Sequence, residues 1–351
     1  MVNEKLGVLI GRFQLGPHNS HLELIAKAAS KVDRLIILVG SANQRVSPKN
    51  PFSADIRKDI IVRSCWEKNI YNVSFEPIND YPYSDGYWAQ CVRETVAHRA
   101  GGATDITLFG FHKDETSFYL DMFPDWKKEE LVSTDPDLSS TALRKLWFKR
   151  EQKIGTLLGE AVPHAVLVAL KQHEFDADLQ SEYEYYEQER SKMFSGYPYP
   201  ETLNFNCGDV VLECAGHILL GKRKNAPGRN CWAIFGGFKN NNETYLECAL
   251  RELREECKIK VSERVLRKSI VATQIFDRPS RSQGIARITM AVHIKIDAEP
   301  DGSLPKVAGH DDIAEVQWVP LNDVLNNRVL FDDHKDIISF FTGVYQRPAY
   351  I

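Results

Sequence analysis

The sequence predicts an α/β protein of two domains, and three observations carry that expectation. First, a short apolar run, Leu6–Ile10, passes through a glycine-bearing loop and an amphipathic segment to a second apolar run, Leu35–Val39. That is the order of a β–α–β unit in a parallel sheet. Second, far down the chain a glycine pair precedes Tyr245–Cys257, a stretch rich in Leu, Ala, Glu and Arg without Gly or Pro, which predicts a helix. Third, 351 residues with 43% hydrophobic content suffice for two ordinary cores.

In the first unit, Leu6–Ile10 ends in Gly11, Arg12, Phe13 and Gln14, and a Gly-Pro turn leads to His18, Asn19, Ser20 and His21. Leu22, Leu24, Ile25 and Ala28 or Ala29 then mark the apolar side of a helix. Ligands of parallel sheets bind beyond the carboxyl ends of the strands, and Gly11–His21 sits there. His18 and His21, three apart at a helix start, face one side and stand where free N–H groups meet an anion. Taken alone the pair admits three roles: zinc ligands lacking a nearby third, surface or capping histidines, or donors to polyphosphate oxygens. A distal segment, Leu138 to Arg144, opens another helix, Thr141–Lys149. Ser139, Ser140 and Thr141 can cap it and donate to phosphate, and Arg144 adds a forked cation one turn on.

A piece over 162–175 is strand-like or helical, and 176–194 is polar, charged and aromatic and predicts a connecting helix. Pro198, Tyr199 and Pro200 break it near residue 197. We divide the chain into 1–180, a connecting helix and linker over 181–200, and 201–351. In the last part, Phe205–Cys214 and His217–Gly221 predict a hairpin, and Ile288–Ile296 alternates as a strand. Gly237, Glu243, then Arg251, Glu252, Glu255 and Glu256 follow one spacing. On a helix Glu252, Glu255 and Glu256 share a stripe, opposite Leu246, Ala249, Leu250 and Leu253. Such an acidic stripe is either a solvated face paired with Arg251 and Arg254, or a site for Mg²⁺ or Mn²⁺, which take oxygen ligands.

The net charge of −4 gives no strong claim on nucleic acid or membrane. The cysteines at 65, 91, 207, 214, 231, 248 and 257 are odd in number and scattered. They predict reduced thiols and a cytoplasmic location. We find no signal peptide, no run of membrane-spanning length and no internal repeat.

The segment around Glu252–Glu256 resembles the Nudix box of Nudix hydrolases, with Lys258 where the family carries glycine. The pairing of Gly11–Gln14 and His18–His21 with Ser139–Arg144 resembles the nucleotidylyltransferase superfamily. Here Leu15, Gly16 and Pro17 are one residue more than that family's spacing, and Ser20 replaces a glycine. Pro77–Asp80 and Trp88 narrow the likeness to nicotinamide mononucleotide adenylyltransferases. Segments 50–57 and 110–117 also resemble family stretches near the nucleotide. The whole chain resembles bifunctional nicotinamide mononucleotide adenylyltransferase–Nudix proteins.

That resemblance implies a Rossmann-like first domain and an α/β/α Nudix sandwich. It implies NAD and pyrophosphate from ATP and nicotinamide mononucleotide, then hydrolysis of ADP-ribose to AMP and ribose 5-phosphate, with Mg²⁺ or Mn²⁺ as cofactor. ATP is expected on Gly11, Arg12, Phe13, His18, His21, Ser139, Ser140, Thr141 and Arg144. Nicotinamide mononucleotide is expected on Phe13, Asp80 and Trp88, with Trp88 as a core tryptophan the competing role. ADP-ribose is expected on Arg278, Arg281 and Arg287. The metal is expected on Gly236, Glu252, Glu255 and Glu256, with Glu255 and Glu256 also catalytic. A further acid comes from Asp311, Asp312 or Glu315. The competing functions are an ADP-ribose sensor without hydrolysis and adenylyl transfer to another phosphate, such as phosphopantetheine or flavin mononucleotide. Partners are small molecules only; oligomeric state is left open, a homo-oligomer included.

Overall fold

The computed structural model describes residues 4–110, 115–132, 135, 138–149, 154–173, 176–199, 203–309 and 313–344. They form two compact units, Met1–Gln180 and Ser181–Ile351.

The first unit runs β1 (Lys5–Gly11), α1 (Asn19–Ala29), β2 (Arg34–Val39), α2 (Ala54–Glu67), β3 (Val73–Pro77), α3 (Asp85–Ala100) and β4 (Asp105–Gly110). A 3₁₀ helix (Glu115–Met122), β5 (Lys127–Glu130), α4 (Ser140–Lys149), α5 (Ile154–Ala161) and α6 (His164–Gln172) follow, and α7 (Ala177–Phe194) crosses into the second unit. The five strands are parallel in the order β3-β2-β1-β4-β5. Strand β2 shows why both faces are covered. Leu35, Ile37 and Val39 pack with Leu22 and Ile25 of α1 and Ile61 of α2. Ile36 and Leu38 pack on the other face with Val92 and Val96 of α3. An apolar run without alternation is what a strand buried on both sides requires. The piece over 162–175, open between strand and helix in the sequence, contains helix α6. Helix α4 starts at Ser140, one residue ahead of the expected Thr141, because Ser139 accepts the Ala142 N–H at 3.2 Å as its cap.

The second unit contains β6 (Phe205–Cys214), β7 (His217–Arg223), β8 (Trp232–Ala233), β9 (Phe235–Phe238), α8 (Tyr245–Cys257) and α9 (Glu263–Lys268). Then come β10 (Ile270–Phe276), β11 (Arg287–Ile296), β12 (Ile313–Pro320), α10 (Leu321–Asn327) and α11 (His334–Phe341). Its mixed sheet is ordered β10-β11-β6-β7-β12, with β8 on β7 and β9 on β6. The β6–β7 hairpin turns through Ala215 and Gly216, both at positive φ, the geometry of a tight two-residue hairpin loop.

Helix α8 buries Ala249, Leu250 and Leu253 against Val210 and Leu212 of β6, with Leu246 packed alongside. The contact is close because β6 carries Gly208: a Cβ there would lie 2.7 Å from the Tyr245 carbonyl oxygen and 2.9 Å from the Ala249 nitrogen. A capping box between Thr244 and Glu247 starts α8. Among the described residues no helix is long and apolar enough to cross a membrane.

The other end of α8 closes on Lys258, in the left-handed region at φ 43 and ψ 38. An L side chain pays about 1 kcal/mol or more for that conformation, and glycine adopts it freely. Lys258→Gly should therefore stabilise the second unit by about 0.5–1 kcal/mol once the greater freedom of glycine in the unfolded chain is subtracted. Thermal unfolding of the two proteins measures it; a lower midpoint for the glycine variant would show that Lys258 makes compensating contacts.

Candidate functional site

Each unit gathers charged side chains at the ends of its strands, of opposite sign. In the first unit, β1 ends at Gly11, and a Cβ there would meet the Phe13 ring at 2.7 Å. Phe13 itself takes φ 47 and is buried. The Gly16 N–H then donates to the Phe13 carbonyl at 2.8 Å, which closes a tight turn around Leu15. This turn takes up the additional residue of Leu15–Pro17 and delivers His18 to the N-cap of α1. His18 Nδ1 accepts the His21 N–H at 3.4 Å, so the His18 ring proton belongs on Nε2. The two imidazoles stack at 3.6 Å, and the Phe13 ring meets His21 edge-on at 5.1 Å. Ser20, in place of the family glycine, is buried and donates to the residue 135 carbonyl at 3.0 Å.

Arg144 stands one turn into α4, and its Nη2 donates to Thr141 Oγ1 at 3.3 Å. Among the described residues its buried Nη1 has no hydrogen-bond partner. Burial, and then the charge of Arg12, push the guanidinium pKa down to about 10. Two cations brought together, one of them with an unsatisfied donor, make a corner that an anion would stabilise.

A third arginine builds this corner from behind. Arg57 of α2 is 1% exposed and donates to the carbonyls of Arg12, Gly40 (2.7 Å) and Ser41 (3.0 Å). It thus ties the loop after β1 to the loop after β2. Burial lowers its pKa to about 10, while the Asp80 carboxylate opposes that fall. In the sequence Arg57 lay in a segment that resembles a nucleotide-site stretch, and Ser53 beside it is the N-cap of α2.

Asp80, expected at the nicotinamide, accepts the Ser41 N–H (3.2 Å) and Ser41 hydroxyl (2.6 Å), and its backbone N–H donates to Asn43 Oδ1 at 2.9 Å. Trp88 is half-buried beside Tyr119 and Phe123, each with ring centroids 6.1 Å away, on the core under α3. Of segment 110–117, residues 111–114 lie outside the described residues.

In the second unit the glycine pair and α8 meet face to face. A Cβ on Gly237 would lie 2.4 Å from Glu252 Oε1, and one on Gly236 would lie 1.9 Å from Asp209 Oδ1. The Gly236 N–H donates to Glu256 Oε2 at 3.4 Å. Arg251 counters the acidic stripe with ion pairs to Glu243 (2.8 Å), Glu252 (2.7 Å) and Glu255 (3.0 Å), and it also donates to the Phe238 carbonyl. Among the described residues Glu256 forms no ion pair; burial, then the charge of Glu252, raise its pKa to about 8. Burial also raises Asp209 to about 6, against the pull of Arg281. Asp209 went unremarked in the sequence, where the signal was one acid inside the buried run of β6.

These groups suit a divalent cation by their chemistry. The donors are carboxylate oxygens, buried at Asp209, half-buried at Glu252 and Glu256 and exposed at Glu255, crowded by like charge and grouped around a backbone that only glycine allows. Among the described residues no three His, Cys, Asp or Glu side chains already enclose one point; Glu252 and Glu255 rest on Arg251 instead. Glu315 is exposed on β12, and Asp311 and Asp312 lie outside the described residues.

Of the three arginines expected at ADP-ribose, Arg281 is buried in a forked pair with Asp333 (2.9 and 3.1 Å). Arg287 pairs with Glu189 and lies 5.5 Å from the Phe238 ring centroid. The Arg278 carbonyl accepts the Arg281 N–H at 3.0 Å, closing a turn.

The family model for the NUDIX domain matches residues 206–341, and that for cytidylyltransferase-like domains matches residues 8–116. The nicotinamide/nicotinic acid mononucleotide adenylyltransferase of Acinetobacter baylyi is 32% identical over 164 residues, 47% of this chain and 84% of that protein. The nicotinamide-nucleotide adenylyltransferase of Methanococcus vannielii is 36% identical over 144 residues, 41% of this chain and 78% of that protein. A bifunctional NMN adenylyltransferase/ADP ribose pyrophosphatase from Francisella tularensis superposes with a TM-score of 0.87 at 28% identity, covering 97% of this chain and 99% of its own. A structure of the bifunctional protein from that organism complexed with AMP and a manganese ion gives 0.86 at 27% identity, with the same coverage.

Arg57 supplies the prediction of this geometry. Arg57→Met keeps the apolar stem but leaves buried carbonyls without a donor, a loss of about 3 kcal/mol. Denaturant unfolding should show the first unit weakened by that order. An unchanged profile would mean that water or another donor replaces the guanidinium.

Proposed function

We propose a two-activity enzyme, on the premise that the chain belongs to the nicotinamide mononucleotide adenylyltransferase family and carries a Nudix domain behind it. Residues 1–180 form NAD and pyrophosphate from ATP and nicotinamide mononucleotide, residues 181–200 connect, and residues 201–351 hydrolyse ADP-ribose to AMP and ribose 5-phosphate. The observation that carries the first activity is the corner of Arg144 and Arg12 beside the stacked histidines. Its unsatisfied donor calls for a polyanion, and a triphosphate supplies one.

In the transfer, a phosphate oxygen of nicotinamide mononucleotide bonds to the α-phosphorus of ATP as the bond from that phosphorus to the pyrophosphate oxygen breaks. The reaction needs no protein nucleophile; it needs alignment and donors for the charge that gathers on the leaving pyrophosphate. We assign Arg144, His21 and the Nε2–H of His18 to those oxygens. Gly11, Arg12, Phe13, Ser139, Ser140 and Thr141 line the ATP. Phe13, Asp80 and Trp88 face the mononucleotide, with Asp80 acting at least in part through the loop at Ser41 that it holds.

For the hydrolase, Glu252, Glu256 and the Gly236 carbonyl would hold a divalent cation, with Glu255 as a further ligand or base. Mg²⁺ is the ion we propose, with Mn²⁺ able to replace it. Bound there, it would neutralise the pyrophosphate and make water a better nucleophile. The chain's own residues position the acids: Arg251 orients Glu252 and Glu255, and the glycine pair lets the Glu252 and Asp209 carboxylates approach its backbone. Arg278, Arg281 and Arg287 are assigned to ADP-ribose.

Two variants test the pair of activities. His21→Ala or Arg144→Ala should lower NAD formation about a hundredfold or more, the scale of one lost transition-state donor, and leave ADP-ribose hydrolysis near wild type. If both activities fell together in a folded protein, the assignment to separate sites would be wrong.

Glu256→Gln should do the reverse. It keeps the size of the side chain and removes one charge, so AMP release from ADP-ribose should collapse with either metal while NAD formation persists. Wild-type protein that binds ADP-ribose and releases no AMP with Mg²⁺ or Mn²⁺ would instead support a sensor.

A further inference from the structure

The second half of α7 does more than connect. Glu182, Tyr186 and Glu189 fall on one helical face at spacings of four and three, and all three are buried. Glu182, 6% exposed, accepts the Tyr186 hydroxyl at 3.1 Å and the Gly228 N–H at 3.3 Å. Glu189, 7% exposed, accepts the Ile285 N–H at 3.3 Å and pairs with Arg287. Arg190 donates to the carbonyls of Gln283 (3.1 Å) and Gly284 (3.3 Å). The approach is so close that a Cβ on Gly284 would lie 2.0 Å from Glu189 Oε2 and 2.7 Å from Tyr186 Cδ1.

Two adjacent helical residues thus take both the donors and the acceptors of backbone 283–285, just ahead of Arg287. A buried carboxylate is tolerated only when paired and hydrogen-bonded, and Glu189 has both. Glu189 and the Phe238 ring leave the Arg287 guanidinium little freedom, and a guanidinium so held can still present its remaining N–H groups to an anion. We propose that Glu189, with Arg190, is a positioning residue for ligand binding in the second unit: it shapes segment 283–287 and aims Arg287 at the diphosphate of an ADP-ribosyl ligand. The proposal rests on the ADP-ribose reading of that unit.

The test uses the full-length protein. ADP-ribose is titrated calorimetrically into wild type, Glu189→Gln, Arg287→Lys and the double variant without metal, and turnover is then followed with Mg²⁺. Glu189→Gln keeps an acceptor for Ile285 and removes the charge that orients Arg287. Kd and KM should rise about tenfold, the effect of one charge-assisted hydrogen bond, with kcat within about twofold. The double variant should be no weaker than the worse single one, because both changes undo one interaction. NAD formation should stay at wild type, and the melting temperature should fall by no more than a few degrees, since Gln keeps the acceptor for Ile285. Wild-type affinity in Glu189→Gln, additive losses in the double variant, or an equal fall in kcat with a lower melting temperature would each overturn the proposal. Wild-type protein that binds ADP-ribose without turnover would sink the hydrolase reading alone, since the comparison of Kd values still decides the role of Glu189. Wild-type protein that binds no ADP-ribose would overturn both.

Discussion

Arg251 is the charge on which the acidic face of α8 depends. Glu243, Glu252 and Glu255 all lean on it, and Glu243 is held down to about 2 by that pair and by the Asn240 N–H. Without a cation these acids would repel one another along the helix. Since Arg251 also holds the Phe238 carbonyl, the end of strand β9, which carries the glycine pair, is fixed by the same side chain. Glu256 is the acid left out, and burial, then the charge of Glu252, raise its pKa. The site is therefore half neutralised by the protein itself.

The first unit solves the inverse problem with the same residue type. Among the described residues no carboxylate forms an ion pair with the buried Arg57, and main-chain carbonyls accept from its Nη1 and Nη2. Asp80 balances it through the Ser41 loop. That loop and the loop after β1 then cannot move independently, and between them Phe13 and the histidines hold their stack. Strain at Phe13 and Ser41, both at positive φ, is borne by these contacts.

Much of this was legible in the sequence, because it depends on spacing. The β–α–β unit follows from two apolar runs on either side of an amphipathic segment, and the acidic helix and its apolar side from the period of 3.6 residues. Residue 258, where the resembled family carries glycine, closes its helix in the left-handed region although a lysine occupies it. What could not be read depends on partners distant in sequence. Arg57 binds carbonyls, which every residue has, so no pattern marks it. Asp80 and Trp88 drew attention as ligand contacts, and their packing against Ser41 and Phe123 has no sequence signature. Helix α7, charged and aromatic, reads as a solvated connection; only its contacts with 283–285 and Gly228 reveal why two of its glutamates are buried. Asp209 hides for a simpler reason: one acid in a strand looks like an edge or an exposed position, and it is neither.

On the reading proposed here, both units act on phosphoanhydrides, and the sign of each site decides how it can do so. The first gathers Arg12, Arg144 and two histidines, so it can take a polyphosphate directly and stabilise its growing charge with N–H donors. The second gathers carboxylates, which repel the same substrate class, so it acts through a bridging cation, with Arg281 and Arg287 paired to Asp333 and Glu189 to hold the rest of the ligand. The cation requirement of the second unit is then a consequence of its electrostatics. Its arginines are tied to acids outside α8, Arg281 to Asp333 and Arg287 to Glu189, and among the described residues Arg251 alone answers the acids of that helix.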